Sequence, residues 1–272
     1  MHLDAIMARN PSLVVSDFTY TEAPKKTDFE RHFHHCFELL YVLHGRGQFV
    51  VEGVCYPMRA GSLLVFRPGE FHYVAPEEDT PYERCVVHFS MTSFGSDTEV
   101  ILRDLRKIPL GFGNYYAPEE LTPDIRAVFK KLREIERIPE EKRAAMTRLL
   151  VGQLLLSLSL LPPVTTGDGN AVGARAIRYL SAHITEPISL DGLARELLVS
   201  KYYLCRAFKE HNGISIRAYI RDKRIMLAKE RIASGMKPRD AAYSVGFGDY
   251  SSFYRAYKEV TGYAPKKEKK LL

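Results

Sequence analysis

The sequence predicts an α+β protein of two domains: an N-terminal jelly-roll β-barrel carrying a helical hairpin, then an all-α domain built from two helix-turn-helix units joined by a long helix. Three observations predict it. Residues 18–89 break into short alternating segments separated by Gly and Pro, the punctuation of an all-β barrel. Further along, 188–209 and 239–258 each carry a short helix, a tight turn and a second amphipathic helix. The charge also changes sign between these halves: residues 175–272 hold 20 Lys and Arg against 10 Asp and Glu, whereas residues 1–174 hold 19 against 23. A basic half joined to a mildly acidic one points to a polyanion partner for the former. With 272 residues the chain is long enough for two separate cores.

In the first half, 37–43, 48–51, 55–58, 62–66 and 82–89 read as strands. Gly45, Gly47, Gly53, Gly61, Pro68-Gly69 and Pro76 separate them. Strand parity then sorts side chains. If Glu38 faces inward, so do Leu40, Val42 and His44, while Tyr82, Arg84, Val86 and His88 share one face of the last strand. An inward Arg84 suits a hydroxyl-rich or carboxylate-bearing small molecule; a rim ion pair is the other reading for Arg84, and a surface position beside a turn for His44.

The stretch His32-Phe33-His34-His35-Cys36-Phe37-Glu38, followed downstream by Gly61…Pro68-Gly69-Glu70-Phe71-His72, resembles the two sequence motifs of the cupin barrel. The resemblance implies that His32, His34, Glu38 and His72 converge inside. Three imidazoles and a carboxylate suit iron, manganese, zinc or nickel. Gly61 and Pro68 stand one residue further apart than the cupin motif has them. The expected ligand-binding residues are His32, His34, Glu38, His72, Arg84 and His88. They line an organic-effector pocket, hold a divalent transition metal on the first four, or serve only as hydrogen-bonded barrel residues.

In the middle, Thr122-Pro123 opens a helix to about residue 136 with the stripe Ile125, Val128, Phe129 and Leu132. Ile138-Pro139 breaks it, and 140–161 forms a second helix that turns almost wholly apolar after Leu149. Such a helix needs burial on several sides. Leu149, Leu150, Leu154, Leu155, Leu158 and Leu161 are therefore divided between the barrel and a second subunit, or all packed within one chain. The expected organisation is a barrel over 1–117, a helical dimerisation segment over 118–161, a Pro- and Gly-rich linker over 162–172, and a helical domain over 173–272.

In the last domain, Ser189 caps a helix with the stripe Leu190, Leu193 and Leu197, and Ser200 caps the next. Leu204 and Phe208 bury there, leaving Lys201, Tyr202, Cys205, Arg206 and Lys209 outward. One uninterrupted helical pattern runs over 216–233. In the second unit Ala242 is small where helices cross, Gly246 allows a left-handed turn, and Asp249 caps a helix burying Phe253 and Tyr257. Tyr250, Ser251, Tyr254 and Arg255 then face outward.

These residues resemble the AraC family of bacterial transcription regulators: Ser200…Leu204…Arg206…Phe208-Lys209 in the first unit, and Ala242…Gly246-Phe247…Ser252-Phe253…Arg255…Tyr257-Lys258…Gly262…Pro265 in the second. Three positions depart: Ala241 replaces a larger aliphatic, Leu198 stands where Gly would serve the first turn, and Glu268 replaces an aromatic. They predict a slightly loose second unit. The resemblance implies a small-molecule effector in the barrel, double-stranded DNA as partner, a homodimer, and contact with RNA polymerase. The expected DNA-binding residues are Ser200, Lys201, Tyr202, Arg206, Lys209, Tyr250, Ser251, Tyr254 and Arg255. Arg206 and Arg255 suit bidentate guanine contacts; Arg217, Arg221 and Lys258 suit phosphates. The alternative is a metal-dependent cupin enzyme, an oxygenase or isomerase, tethered by its helical half.

Four cysteines (Cys36, Cys55, Cys85, Cys205) show no paired spacing, so neither a disulfide framework nor a structural zinc site is expected. The first five residues carry no apolar signal core, and 149–161 is too short to span a bilayer. A cytoplasmic protein with no membrane partner is expected.

Overall fold

The computed structural model describes residues 10, 13–25, 28, 29, 31–34, 36–108, 110–113, 115–161 and 172–268. The expected linker falls almost entirely outside them, as do the first nine residues. Two compact units divide between Asp168 and Gly169.

The first unit is a jelly-roll-like pair of antiparallel sheets. Its strands are β1 (Val15–Thr21), β2 (Phe37–His44), β3 (Arg46–Val51), β4 (Val54–Arg59), β5 (Leu63–Phe66), β6 (His72–Pro76), β7 (Tyr82–Phe89) and β8 (Tyr115–Tyr116). One sheet runs β1-β7-β2-β5-β8 and the other β4-β3-β6. Three helices complete the unit: α1 (Ser96–Lys107) between β7 and β8, then α2 (Pro123–Arg133) and α3 (Glu140–Ser159).

Alternation in the large sheet does two jobs. Phe37, Leu39, Leu63, Val65, Cys85, Val87 and Phe89 face one way and join a core with Leu102 of α1, Ile125, Val128, Phe129 and Leu132 of α2, and Leu150, Val151, Leu154, Leu155 and Leu158 of α3. Each such side chain contributes about 1.5–3 kcal/mol by leaving water. The opposite face of β1, β2 and β7 supplies Asp17, Thr19, Glu38, Leu40, Arg84, Val86 and His88 to a chamber. A bulge between Val42 and His44 ends this parity. His44 therefore turns to solvent and its Nδ1 meets the Pro81 carbonyl at 2.9 Å, so it is not a chamber residue.

Three strands and one helix of this unit escaped the sequence pattern. β1 is a polar edge strand, β6 ends on Pro76, and β8 is two residues long. α1 starts at Gly95, which gives no side-chain cap to signal it. Gly47 lies inside β3 rather than beside it, because a Cβ there would fall 2.2 Å from the Ala75 carbonyl oxygen of the neighbouring strand. The first middle helix stops at Arg133 and a 3₁₀ turn at Ile135–Arg137 carries the chain onward. Thr122 occupies the N-cap of α2, but its hydroxyl makes no capping bond.

The second unit comprises α4 (Val172–Ala182), α5 (Leu190–Glu196), α6 (Lys201–Asn212), α7 (Ile216–Ala233), α8 (Pro238–Ser244), α9 (Tyr250–Thr261) and α10 (Pro265–Glu268). The long central helix has the bounds its pattern predicts. α5–α6 and α8–α9 are the two helix-turn-helix units, and their turns match bond for bond. Val199 N–H donates to the Ala194 carbonyl at 3.0 Å, and Phe247 N–H to the Ala242 carbonyl at 3.1 Å. The residue before each donor is left-handed: Leu198 at φ 57° and Gly246 at φ 92°. Leucine thus adopts the conformation for which the second turn uses glycine. Ala241 is fully buried in a cluster with Ile225, Ala242, Val245, Phe253 and Tyr257. The Glu268 side chain lies outside the described residues.

Candidate functional site

The chamber encloses about 590 Å³ and is lined by residues of β1, β2, β6 and β7 and by the segment holding Phe29, Arg31, His32 and His34. Its centre is Glu38, buried in β2. One carboxylate oxygen, Oε2, lies 3.0 Å from His34 Nε2, 3.0 Å from His88 Nε2 and 3.5 Å from His72 Nε2. Burial pushes the Glu38 pKa up, but bonds from His34, His72 and His88 outweigh it and hold the carboxyl well below its usual range.

All six expected ligand-binding residues line this chamber: His32, His34, Glu38, His72, Arg84 and His88. Donor atoms of His32, His34, Glu38 and His72 lie within 4.8 Å of one another, so this is the set able to hold a cation. Second contacts fix the rings. His72 Nδ1 donates to the Glu70 carbonyl at 2.9 Å, and Phe66 stacks on the imidazole at 4.0 Å. Arg84 has its guanidinium carbon 5.1 Å from the ring centres of both Phe29 and Tyr82. Tyr82, expected on the chamber face, is fully buried beneath that guanidinium instead. Asp17, Thr19, Asp28, Phe29, Arg31 and Val74 complete the lining and were not read from the sequence. The alternation of β1 was the available signal for Asp17 and Thr19; nothing local marks Asp28 or Phe29.

Beside the chamber, Glu70 and Arg67 form a fully buried ion pair. Arg67 also donates to the carbonyls of Leu105 and Phe112, and Glu70 accepts from Gly111 N–H. This network pairs both buried charges and ties Leu105, Gly111 and Phe112 to the barrel. Glu70's carbonyl is the one that orients His72.

In the second unit the expected nucleic-acid contacts fall on α6 and α9. Ser200 and Asp249 cap these helices, accepting from Tyr203 N–H at 3.2 Å and Ser252 N–H at 2.8 Å. Lys201, Tyr202, Arg206 and Lys209 are exposed on α6, and Ser251, Tyr254 and Arg255 on α9; Tyr250 is half-buried. Tyr202 is 77% exposed, a large ring with nothing of its own unit to cover it. Lys201 pairs with Asp191 at 2.9 Å, and Arg206 lies 3.6 Å from Glu210, both at the surface where such pairs are weak. Arg221 differs: it bonds Asp222 and Glu259, so its guanidinium is spent within the unit.

The family model described as the AraC-like ligand binding domain matches residues 16–159, and that described as a helix-turn-helix domain matches 193–270. The chain is 24% identical over 253 residues to the uncharacterized HTH-type transcriptional regulator YbfI of Bacillus subtilis, covering 89% of this chain and 86% of that one. It is 24% identical over 250 residues to the HTH-type transcriptional activator RhaS of Escherichia fergusonii, covering 88% and 86%. Among solved structures, ToxT of Vibrio cholerae aligns over 95% of this chain and 98% of its own at 15% identity with a TM-score of 0.40. No helix among the described residues is long and apolar enough to cross a membrane. With a ligand-binding barrel matched in its first half and a helix-turn-helix DNA-binding domain in its second, the chain belongs to the AraC family of transcription regulators.

Proposed function

We propose that α6 and α9 read base edges in successive major grooves while the barrel binds a small organic effector, sugar-like or carboxylate-bearing, that sets how the DNA-binding domain is used. The observation that carries the reading is that Arg206 and Arg255 both stand exposed on the second helix of their units. Arg pairs bidentately with guanine in the major groove. Tyr202, Tyr250, Ser251 and Tyr254 serve thymine-methyl or phosphate contacts; Ser200, Lys201 and Lys209 position the backbone. Selection of bound sequences from random DNA by the full chain tests this. Arg206→Ala should cost about 1–3 kcal/mol and relax one base position; equal weakening on selected and random DNA would refute the assignment.

The same proposal includes a homodimer built on α3. Met146, Leu149, Leu156 and Leu160 are exposed at 38, 71, 54 and 79%. With Gln153 between them they recur at alternating steps of three and four, the seam of a paired helix. Chamber, dimer helix and DNA-binding half act in the cytoplasm, with RNA polymerase as a further partner at the promoter. The barrel works as a sensor and not as a catalyst, and a divalent transition metal on His32, His34, Glu38 and His72 is the one cofactor its donors fit.

A further inference from the structure

The two helix-turn-helix units repeat one geometry, so a position where they carry opposite charges is informative. The turn bonds from Val199 to Ala194 and from Phe247 to Ala242 put Ala194 in register with Ala242. Three residues earlier, Asp191 of α5 corresponds to Arg239 of α8, each the second residue of its helix. Lys201 and Tyr250, the first residues of α6 and α9, follow the caps Ser200 and Asp249 and correspond likewise. In the first unit these two positions touch, with Lys201 Nζ donating to Asp191 Oδ2 at 2.9 Å. In the second they are neighbours again: burial and Tyr254 raise the Tyr250 pKa, and the charge of Arg239 opposes them.

One corner therefore holds an acid in the first unit and a base in the second. Asp191 is compensated, since the bond from Lys201, and then the charges of Lys201 and Arg195, hold its carboxyl below the usual range. Arg239 is exposed, and no carboxylate among the described residues forms an ion pair with it. Asp240 is one position on and does not face it, and no acid stands three or four residues away along α8. An acid in a helix's first turn supports the helix dipole and a base opposes it. Asp191 suits its own helix; the charge of Arg239 suits only an anion from outside.

We propose that Arg239 is a phosphate anchor of the second unit, gripping the DNA strand at the lip of the groove that α9 enters, and that Asp191 at the matching corner of the first unit does the reverse, drawing Lys201 away from the same contact. This rests on the reading of α6 and α9 as the groove-entering helices. When the second helix of such a unit enters a major groove by its N-terminal residues, the first helix crosses the sugar-phosphate backbone. The corner where both helices begin then faces phosphates. Tyr243, one turn after Arg239 on the same face and 47% exposed, offers its hydroxyl to the same strand. Phosphate contacts fix position without reading sequence. Arg239 thus supplies grip where Arg255 supplies choice, and the two units hold the duplex unequally.

The test measures binding of the full chain to its selected sequence and to random duplex across a series of NaCl concentrations. Arg239→Gln should weaken both by a similar factor, roughly fivefold at about 0.1 M salt, and lower the slope of log affinity against log salt by about 0.9, the share of one phosphate. Arg239→Lys should restore the slope, because a phosphate accepts either cation. Asp191→Asn should act in the opposite direction, tightening both duplexes and steepening the slope as Lys201 is released. Thermal melts of Arg239→Gln should show no loss of Tm, since the charge opposes its own helix. An unchanged slope in Arg239→Gln, a loss confined to the selected sequence, a fall in Tm that accounts for the weaker binding, or weaker binding in Asp191→Asn would each overturn the proposal. In all four cases a wild-type chain that binds DNA leaves the regulator reading standing; a wild-type chain that binds neither duplex overturns both.

Discussion

Nη1 of Arg224 donates to the carbonyl oxygen of Gly246 at 2.7 Å, and the same guanidinium stands 2.9 Å from where a Cβ on residue 246 would sit. Its Nε and Nη2 bond the carbonyls of Ile184 and Glu186, which lie ahead of α5. A single side chain of α7 thus fastens the approach to the first helix-turn-helix unit onto the turn of the second.

Removing that fastening should be felt in both units. Arg224→Met leaves three carbonyls without their donor and should destabilise the DNA-binding domain by on the order of 2–3 kcal/mol in urea melts. Gly246→Ala suffers twice, from the left-handed backbone and from Thr185's carbonyl oxygen 2.8 Å away. Because they disturb one contact, the double variant should cost less than the sum of the singles. Strict additivity would show that the contact is not shared.

Leu198 carries the strain that Gly246 avoids. Its left-handed backbone costs about 1–2 kcal/mol for a residue with a Cβ, and its side chain, 89% exposed, recovers little by burial. Leu198→Gly should stabilise the domain by up to about 1 kcal/mol after glycine's entropy is counted. A Tm that falls would show that the leucine packs against something in the working protein, DNA and its partner subunit being the first places to look.

The outward side of α3 gives a third expectation. Leu149→Glu with Leu156→Glu should convert a dimer to monomers by light scattering while changing the chain's own stability by no more than about 0.5 kcal/mol, as for other surface positions. Leu154→Ala, on the buried side, should instead cost about 2–5 kcal/mol. Unchanged mass in the double Glu variant would remove α3 as the dimer seam.

Acid should undo the Glu70 network. Burial raises this carboxyl's pKa, but Arg67's charge and the N–H groups of Arg67 and Gly111 more than offset it, leaving the folded value below 4.5. A carboxylate so depressed contributes stability that is complete above pH 4.5 and lost as pH falls through the lower folded value. Glu70→Gln should cost on the order of 3–5 kcal/mol at neutral pH by stranding Arg67, and should flatten the acid limb of a Tm–pH curve. A curve parallel to wild type would place the acid sensitivity elsewhere.

What the residues disclosed in advance follows from how local each signal is. Ser200, Asp249, Gly246 and the apolar spacing of Leu204 and Phe208 are short-range rules, and they placed the helical half closely. Glu38 was placed by the resemblance to the cupin motif and His88 by strand alternation, which works only while a strand stays regular; the bulge after Val42 carried His44 out of the chamber. β1 was hidden because an edge strand has little apolar pattern to show, and with it went Asp17 and Thr19. The pairing of His72 with the Glu70 carbonyl depends on a loop's path through space, which no sequence period records.

Residues 37–40 and 84–89 give their odd members to the helical core and their even members to the chamber. A guest pressing on Glu38, Leu40, Arg84, Val86 or His88 therefore pushes on a membrane one peptide thick, on whose reverse side Leu39, Val87 and Phe89 already lean against α3's cluster. News of occupancy has only the depth of a single backbone to travel before it reaches the core that seats α3.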